Sequence, residues 1–141
     1  MYQLHIKDSI LQLITQGLRP IIVPIIVLFL LAACGGSSGA GDPAETVERY
    51  LTAKVASDRD TVQSLLCSEL EANLPIEAGA FASVSDARIE DMACARDGDT
   101  DRVTCSGTIV ATYGTEATEF PLTAYRIVQE DGEWKWCGET G

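Results

Sequence analysis

The chain is poor in histidine and in basic residues. Its 141 residues contain one histidine, His5, and 10 lysines and arginines against 21 aspartates and glutamates. Without a histidine after residue 5, the rest of the sequence cannot assemble a Ser-His-Asp or Cys-His catalytic set or a histidine metal site. Nucleic-acid binding depends on basic residues that neutralise phosphates, so the acidic balance excludes nucleic acid as a partner.

The chain also lacks a hydrophobic run long enough to cross a bilayer as a helix. Ile21–Ala33 gives 13 residues without a charge, interrupted by Pro24, whereas a bilayer core takes roughly twenty. The preceding residues carry Lys7 and Arg19, and the residues that follow are uncharged. This arrangement is typical of a signal peptide rather than of a transmembrane segment.

The apolar run ends in Leu31-Ala32-Ala33-Cys34. This stretch resembles the lipobox of bacterial lipoproteins, with leucine three residues before the cysteine and small residues between. The resemblance implies that residues 1–33 are a lipoprotein signal peptide and that Cys34 becomes the first mature residue. Its thiol would take a diacylglyceryl group and its α-amino group a further acyl chain such as palmitate. Several chains anchor a protein stably where one does not, so the membrane is an expected partner.

Residues 34–41 are predicted to be the lipidated cysteine and a flexible tether. Gly35–Gly41 consists of glycine, serine and alanine only, and its reach is roughly 15 Å by random-coil scaling. The folded domain is predicted over 42–141, because Asp42-Pro43-Ala44-Glu45 combines a capping acid, a first-turn proline and an acid in the first turn. Whether the anchor sits in the cell membrane or in an outer membrane stays open.

Four cysteines remain after Cys34, namely Cys67, Cys94, Cys105 and Cys137. An even number in an exported domain predicts two disulfides, which allow three connectivities. No pair has the CxxC spacing of a zinc site, so we expect no metal and no cofactor. Twenty acids against eight bases after Cys34 leave a net charge of about −12, which solvates an exported surface.

Strand pairing favours one of the three connectivities. A strand pair that turns at residues 99–100 places Cys94 opposite Cys105. That bridge leaves Cys67, near the end of a helix, for Cys137. Simple alternation puts Cys137 on the face away from the helices, unless its strand ends or bulges first.

The order of predicted elements is helices first and strands second. Apolar residues at helical spacing predict one helix to about residue 57, a second capped by Asp58 or Asp60, and a short turn that stops before Leu74-Pro75. Val-, Thr-, Ile- and Tyr-rich runs then predict four strands, over 88–95, 102–113, 119–129 and 133–137. The predicted fold class is therefore α+β, with N-terminal helices packed on a four-stranded antiparallel sheet.

This order, with the stretches SDRDTVQSLL and YRIVQEDGEWKWC, resembles the nuclear transport factor two-like or cystatin-like roll of many small bacterial lipoproteins. Rolls of this family often hold a conical pocket between sheet and helices. The side chains that could line such a pocket here are Tyr50, Tyr113, Tyr125, Trp134, Trp136 and Arg126.

No catalytic residue is assigned, because the adjacent carboxylates Glu90 and Asp91 face opposite ways on a strand. The sequence favours an exported, lipid-anchored binding or interaction module that recognises an envelope protein or a small ligand without catalysis. Two alternatives stay open. One is a small-molecule isomerase or cyclase-like enzyme of the same roll, and the other is a structural spacer in the envelope.

Overall fold

The computed structural model of the chain describes residues 41–140. The signal peptide predicted over 1–33, the lipidation site Cys34 and the tether up to residue 40 lie outside the described residues.

The described chain is α+β, as predicted, and its helices precede its strands. Three α-helices, α1 to α3, and one 3₁₀ helix between α2 and α3 span, in chain order, Pro43–Val55, Arg59–Leu65, Ser68–Asn73 (3₁₀) and Leu74–Gly79. Five antiparallel strands, β1 to β5, span Ser85–Arg96, Arg102–Tyr113, Glu116–Pro121, Ala124–Glu130 and Glu133–Thr140.

Two aspartates begin the first two helices, which confirms both predicted starts. The carboxylate of Asp42 accepts the N–H of Ala44 at 2.9 Å. Asp58 accepts the N–H and the hydroxyl of Thr61 at 3.2 and 2.7 Å. Each carboxylate satisfies a helix donor that has no partner within the helix.

Helix α3 was not expected from the sequence. The sequence predicts a short turn that stops before Leu74-Pro75, whereas the structure begins a helix at Leu74. Proline suits the first turn of a helix because its missing N–H has no partner at that position in any case.

The sheet has five strands rather than the predicted four, because the run predicted over 119–129 is divided. Strands β1, β2, β4 and β5 lie side by side in that order, and β3 pairs with the other half of β2. The register of β2 against β3 pairs Thr108 with Pro121, whereas its register against β4 pairs Thr104 with Ala124. The two registers differ by one residue, so the chain between β3 and β4 must leave regular pairing at residues 122–123.

A bulge bends β1 opposite the middle of β2. Asp91, with φ of 52°, and Met92 together face the single residue Gly107. Gly107 has φ of +114°, and a Cβ there would lie 2.7 Å from the carbonyl oxygen of Glu90. Glycine is therefore required at this position.

The core joins helix α1 to the first half of β2 and to β4 and β5. Val47, Val62, Val103 and Ile127 are fully buried within one apolar cluster. Helix α1 also reaches the edge of β1, where the N–H of Cys94 donates to the carboxylate of Glu48 at 3.0 Å.

Candidate functional site

Three of the six predicted pocket residues come together, as a packed aromatic cluster. Tyr50 of α1 stacks on Trp136 of β5 with ring centroids 4.1 Å apart and planes 9° apart. Tyr125 of β4 lies 6.3 Å from the Trp136 ring on a tilted plane. All three side chains are buried, so they form core rather than the wall of an open pocket.

A polar network closes one end of this aromatic cluster. The hydroxyl of Tyr50 and the ammonium of Lys54 both donate to the same Glu77 oxygen, each at 2.7 Å. The side chains of Lys54 and Glu77 are 17% and 16% exposed, and the Lys54 ammonium lies 5.7 Å from the Trp136 ring centroid. The network ties α3 to α1 through groups that satisfy one another.

Burial controls the protonation of both core tyrosines. Burial, and then the hydrogen bond and negative charge of Glu77, raise the pKa of Tyr50. Burial also raises the pKa of Tyr125, whose hydroxyl accepts the N–H of Thr123 at 3.4 Å. Each phenol therefore stays protonated at neutral pH and acts as a hydrogen-bonding group, not as a base or nucleophile.

Trp134 lies in a different place, beside a cavity at the start of α1. The guanidinium carbon of Arg96 lies over the Trp134 ring, 4.8 Å from the ring centroid. The cavity has a volume of about 370 Å³, and its charged lining includes Asp42, Arg49 and Glu133. That volume falls within the range of small-ligand sites.

Glu133 of the cavity lining also forms an ion pair. Lys135 donates at 2.7 Å to Glu133 and at 2.7 Å to the carbonyl of Ser64. The hydrogen bond and the charge of Lys135 lower the pKa of the Glu133 carboxyl. A second cavity of about 400 Å³ follows α1 past Ala53 to Asp58.

Arg126 is not among the residues that line the cavity. Its guanidinium pairs with Glu69 of the 3₁₀ helix and donates to the Cys137 sulfur at 3.1 Å. Arg126 therefore links the 3₁₀ helix to the disulfide at the edge of β5.

Tyr113 is the sixth predicted pocket residue, and it lies on the surface at the opposite end of the sheet. Its ring, 46% exposed, meets Phe120 of β3 edge to face at 6.3 Å. Phe120, 38% exposed, meets Phe81 in the same manner at 6.3 Å. We call these three side chains the aromatic patch.

Phe120 is a residue of this patch that no sequence pattern assigned to a site. The signal was present, since Phe120 precedes Pro121 in a stretch whose acids mark it as exposed, and proline is confined to strand edges. A pattern of strand residues alone cannot tell an edge strand from a central one.

The four cysteines of the domain form two disulfides, and the structure pairs the cysteines that strand register favoured. Cys94 faces Cys105 across β1 and β2, and the two are bonded. Cys67 and Cys137, 70 residues apart, form the other bond. Disulfides are typical of proteins in oxidising compartments.

Cys137 lies at a bulge of β5, and Cys67 bonds to it from the edge of the sheet. Between the Tyr125 and Ile127 pairings of β4, strand β5 carries one extra residue, and Gly138 takes φ of +110°. Cys67 also reaches β5 from the sheet edge, where its N–H donates to the carbonyl of Trp136 at 2.9 Å. The bond therefore forms beside the sheet and not across its helix-facing side.

Among residues 41–140, one cluster has the atom spacing of a metal site, and it consists of Cys67, Glu69 and Cys137. Its two sulfur atoms are bonded to each other, so they are not free thiolates. Within the same span, no helix has the length and apolar character needed to cross a membrane.

No protein-family model matches the chain, and no curated protein sequence matches it significantly.

Proposed function

We propose that this protein is a lipid-anchored, extracytoplasmic interaction module of the cell envelope that acts without catalysis. The lipobox-like stretch ending at Cys34 and the glycine- and serine-rich tether support the anchor. The two disulfides support an oxidising compartment. We also propose that the domain over 42–141 is a roll of the nuclear transport factor two-like kind, with its helices on one face of the sheet.

The interaction role is supported by a contrast between side chains that are paired inside the fold and aromatic side chains that are exposed. Tyr50, Lys54 and Glu77 satisfy one another inside the fold. The aromatic patch, in contrast, exposes Tyr113 and Phe120 to solvent. Exposed aromatic residues that contact one another are typical of protein interfaces, where they supply most of the binding energy.

Export and anchoring are tested by intact mass on protein purified from its native membrane. We expect a chain that begins at Cys34 and carries acyl mass, and a gain of about 4 Da on reduction for the two disulfides. A chain that retains Met1 and shows no change on reduction would contradict both expectations. A Cys34→Ala variant provides the control, since it should lose the acyl mass.

The interaction role is tested by site-specific photo-crosslinking in intact cells. A photoreactive amino acid at position 113, in the aromatic patch, should yield a defined crosslinked envelope protein. The matched control position is Glu71, which is also exposed but lies in the 3₁₀ helix. Equal crosslinking at both positions, or none at position 113, would argue against an interface at the patch.

The cavity beside Trp134 supports a second candidate function, the binding of a small ligand. Native mass spectrometry of the purified protein should then show a non-covalent adduct. Trp134→Ala should release this adduct while Phe120→Ser retains it. An adduct that survives Trp134→Ala would place the ligand elsewhere.

A further inference from the structure

The outer edge of β3 is an open edge of the sheet. Strand β3 pairs with β2 alone, and five of its six residues are exposed. Within residues 41–140 no backbone hydrogen bond joins its outer side to another segment. An unpaired edge of this kind is a template for a further strand.

The register shows which backbone groups face outward. Leu122 donates its N–H to the carbonyl of Gly107 at 2.9 Å, so these two residues form a hydrogen-bonded pair. Hydrogen-bonded and non-hydrogen-bonded pairs alternate along an antiparallel ladder. The backbone N–H and C=O groups of Phe120, Thr118 and Glu116 therefore point towards β2. Ala117 and Glu119, which lie between them, direct their N–H and C=O groups away from the sheet.

One face of this edge combines aromatic rings with negative charge. Side chains alternate along a strand, so Glu116 shares its face with Phe120. The neighbouring Tyr113 contacts Phe120 on that face. The segment from Tyr113 to Tyr125 contains two acids and no base.

This chemistry fits an extended segment with lysine or arginine at every second position. Backbone pairing to Ala117 and Glu119 would align the segment along β3. Its alternate side chains would then lie beside the Phe120 ring and the Glu116 carboxylate, where a cation gains both a cation–π contact and an ion pair.

A second copy of the chain fits this edge poorly. Two β3 edges in contact would bring Glu116 and Glu119 of both copies along one ladder, and like charges opposed across a sheet destabilise it. The high net negative charge of the domain adds to this repulsion.

We propose that β3 accepts a basic, extended segment of another exported protein by strand addition, with the aromatic patch as its side-chain contact. This inference rests on the proposed interaction role and names the class of partner. The partner segment must pair with the backbone of β3, whereas non-specific attraction to an acidic surface would not require such pairing.

The test uses the full-length protein purified in detergent and a labelled hexapeptide of alternating lysine and threonine. Fluorescence anisotropy should show saturable binding. Glu116→Lys and Phe120→Ser should each weaken the binding by about tenfold, the loss of one good contact. The control Glu71→Lys makes the same change in net charge away from β3 and should leave binding within about twofold.

A second probe isolates the backbone contribution. The same hexapeptide with N-methyl groups on its threonine amides keeps its charge but loses the edge that would pair with Ala117 and Glu119 when its lysines lie on the aromatic face. We expect its binding to be lost. Retained binding by this probe, or an equal loss with Glu71→Lys, would overturn strand addition in favour of non-specific attraction.

The proposed function and this inference fail in different ways. The natural sequence could fail to bind the peptide and still crosslink specifically at position 113. That result would overturn the proposal of a basic partner strand and leave the interaction role in place. A dimer of the natural protein in sedimentation that Phe120→Ser dissociates would overturn the inference in favour of self-association.

Discussion

Strands β3 and β4 follow one another in the chain, both pair with β2, and yet they have opposite environments. In β4, Ala124, Tyr125 and Ile127 are buried, because β5 covers the other side of the strand. In β3 no residue is fully buried, because its outer side has no neighbour among residues 41–140. The presence of a second neighbouring strand, and not the sequence of the strand itself, makes β4 part of the core and leaves β3 at the surface.

The disulfides are distributed in the same way. Cys94–Cys105 joins β1 to the half of β2 that lies beside β4. Cys67–Cys137 joins the end of the helical region to β5. Neither bond reaches β3, so the covered half of the sheet is held covalently while the exposed half depends on pairing with β2.

The largest effect should come from removing the long-range disulfide. Replacing Cys67 and Cys137 together by alanine releases a loop of 70 residues and should lower the free energy of unfolding by about 4 kcal/mol. The pair Cys94 and Cys105 closes a loop of 11 residues and should cost about 3 kcal/mol. Urea unfolding of the two double variants measures the difference. A smaller loss for Cys67 and Cys137 would mean that the covered half does not depend on this bond.

Truncating one apolar side chain in each strand compares the two halves directly. Ile127 is fully buried, so Ile127→Ala should cost about 3 kcal/mol of unfolding free energy through lost contacts and a cavity. Phe120 is 38% exposed, so Phe120→Ala should cost under about 1 kcal/mol although it removes more atoms. Equal losses in chemical denaturation would show that β3 belongs to the core.

The middle of β2, where the two halves meet, depends on a glycine. Gly107→Ala should destabilise the domain by about 2 kcal/mol or more, because φ of +114° and the carbonyl of Glu90 both oppose a Cβ. Gly79→Ala is the control, since a Cβ there meets nothing within 4 Å. Thermal unfolding should separate the two variants, and similar melting temperatures would show that the bulge relaxes freely.

The smallest effect concerns the hydroxyl of Tyr50. Tyr50→Phe should cost about 1 kcal/mol at neutral pH, because one hydrogen bond to Glu77 is lost. Tyr113→Phe, at an exposed hydroxyl, should cost almost nothing. Denaturation of both variants at pH 7 checks this contrast.

The same variant also changes the alkaline stability. The pKa of Tyr50 is raised in the fold, chiefly by burial, so above pH 10 the unfolded phenol loses a proton that the folded one keeps. This contribution is complete below pH 10 and is lost as the pH rises, at about 1.4 kcal/mol per unit for one proton. Tyr50→Phe should make the alkaline fall in unfolding free energy shallower, and an unchanged slope would contradict a protonated, buried Tyr50.

Sequence patterns were enough to predict those features that depend only on residues close together in the chain. The helix starts at Asp42 and Asp58 follow from a carboxylate within reach of the next free N–H groups. The bond between Cys94 and Cys105 follows from a tight turn that fixes register. Helix α3 was missed because a proline can either end a helix or begin one, and the sequence pattern was weak there.

The candidate site was predicted less well than the fold. The resemblance to the roll family indicated that Tyr50, Tyr125 and Trp136 could line a pocket, and these three do meet, but as packed core. The same reasoning grouped Tyr113 and Trp134 with them, whereas the structure places those two at opposite ends of the sheet. Residue type indicates that a side chain favours burial, but the distance between two such residues depends on strand order.

The sequence by itself determined the class α+β, the two helix caps, the acidic surface and the number of disulfides, because each depends on composition or on neighbours along the chain. Only the tertiary structure decided that the third predicted strand divides, that Gly107 must face a bulge, and that β3 keeps an open edge beside the aromatic patch. These features depend on which segment lies next to which across the sheet. That choice is made by packing between residues far apart in the chain, and no local pattern encodes it.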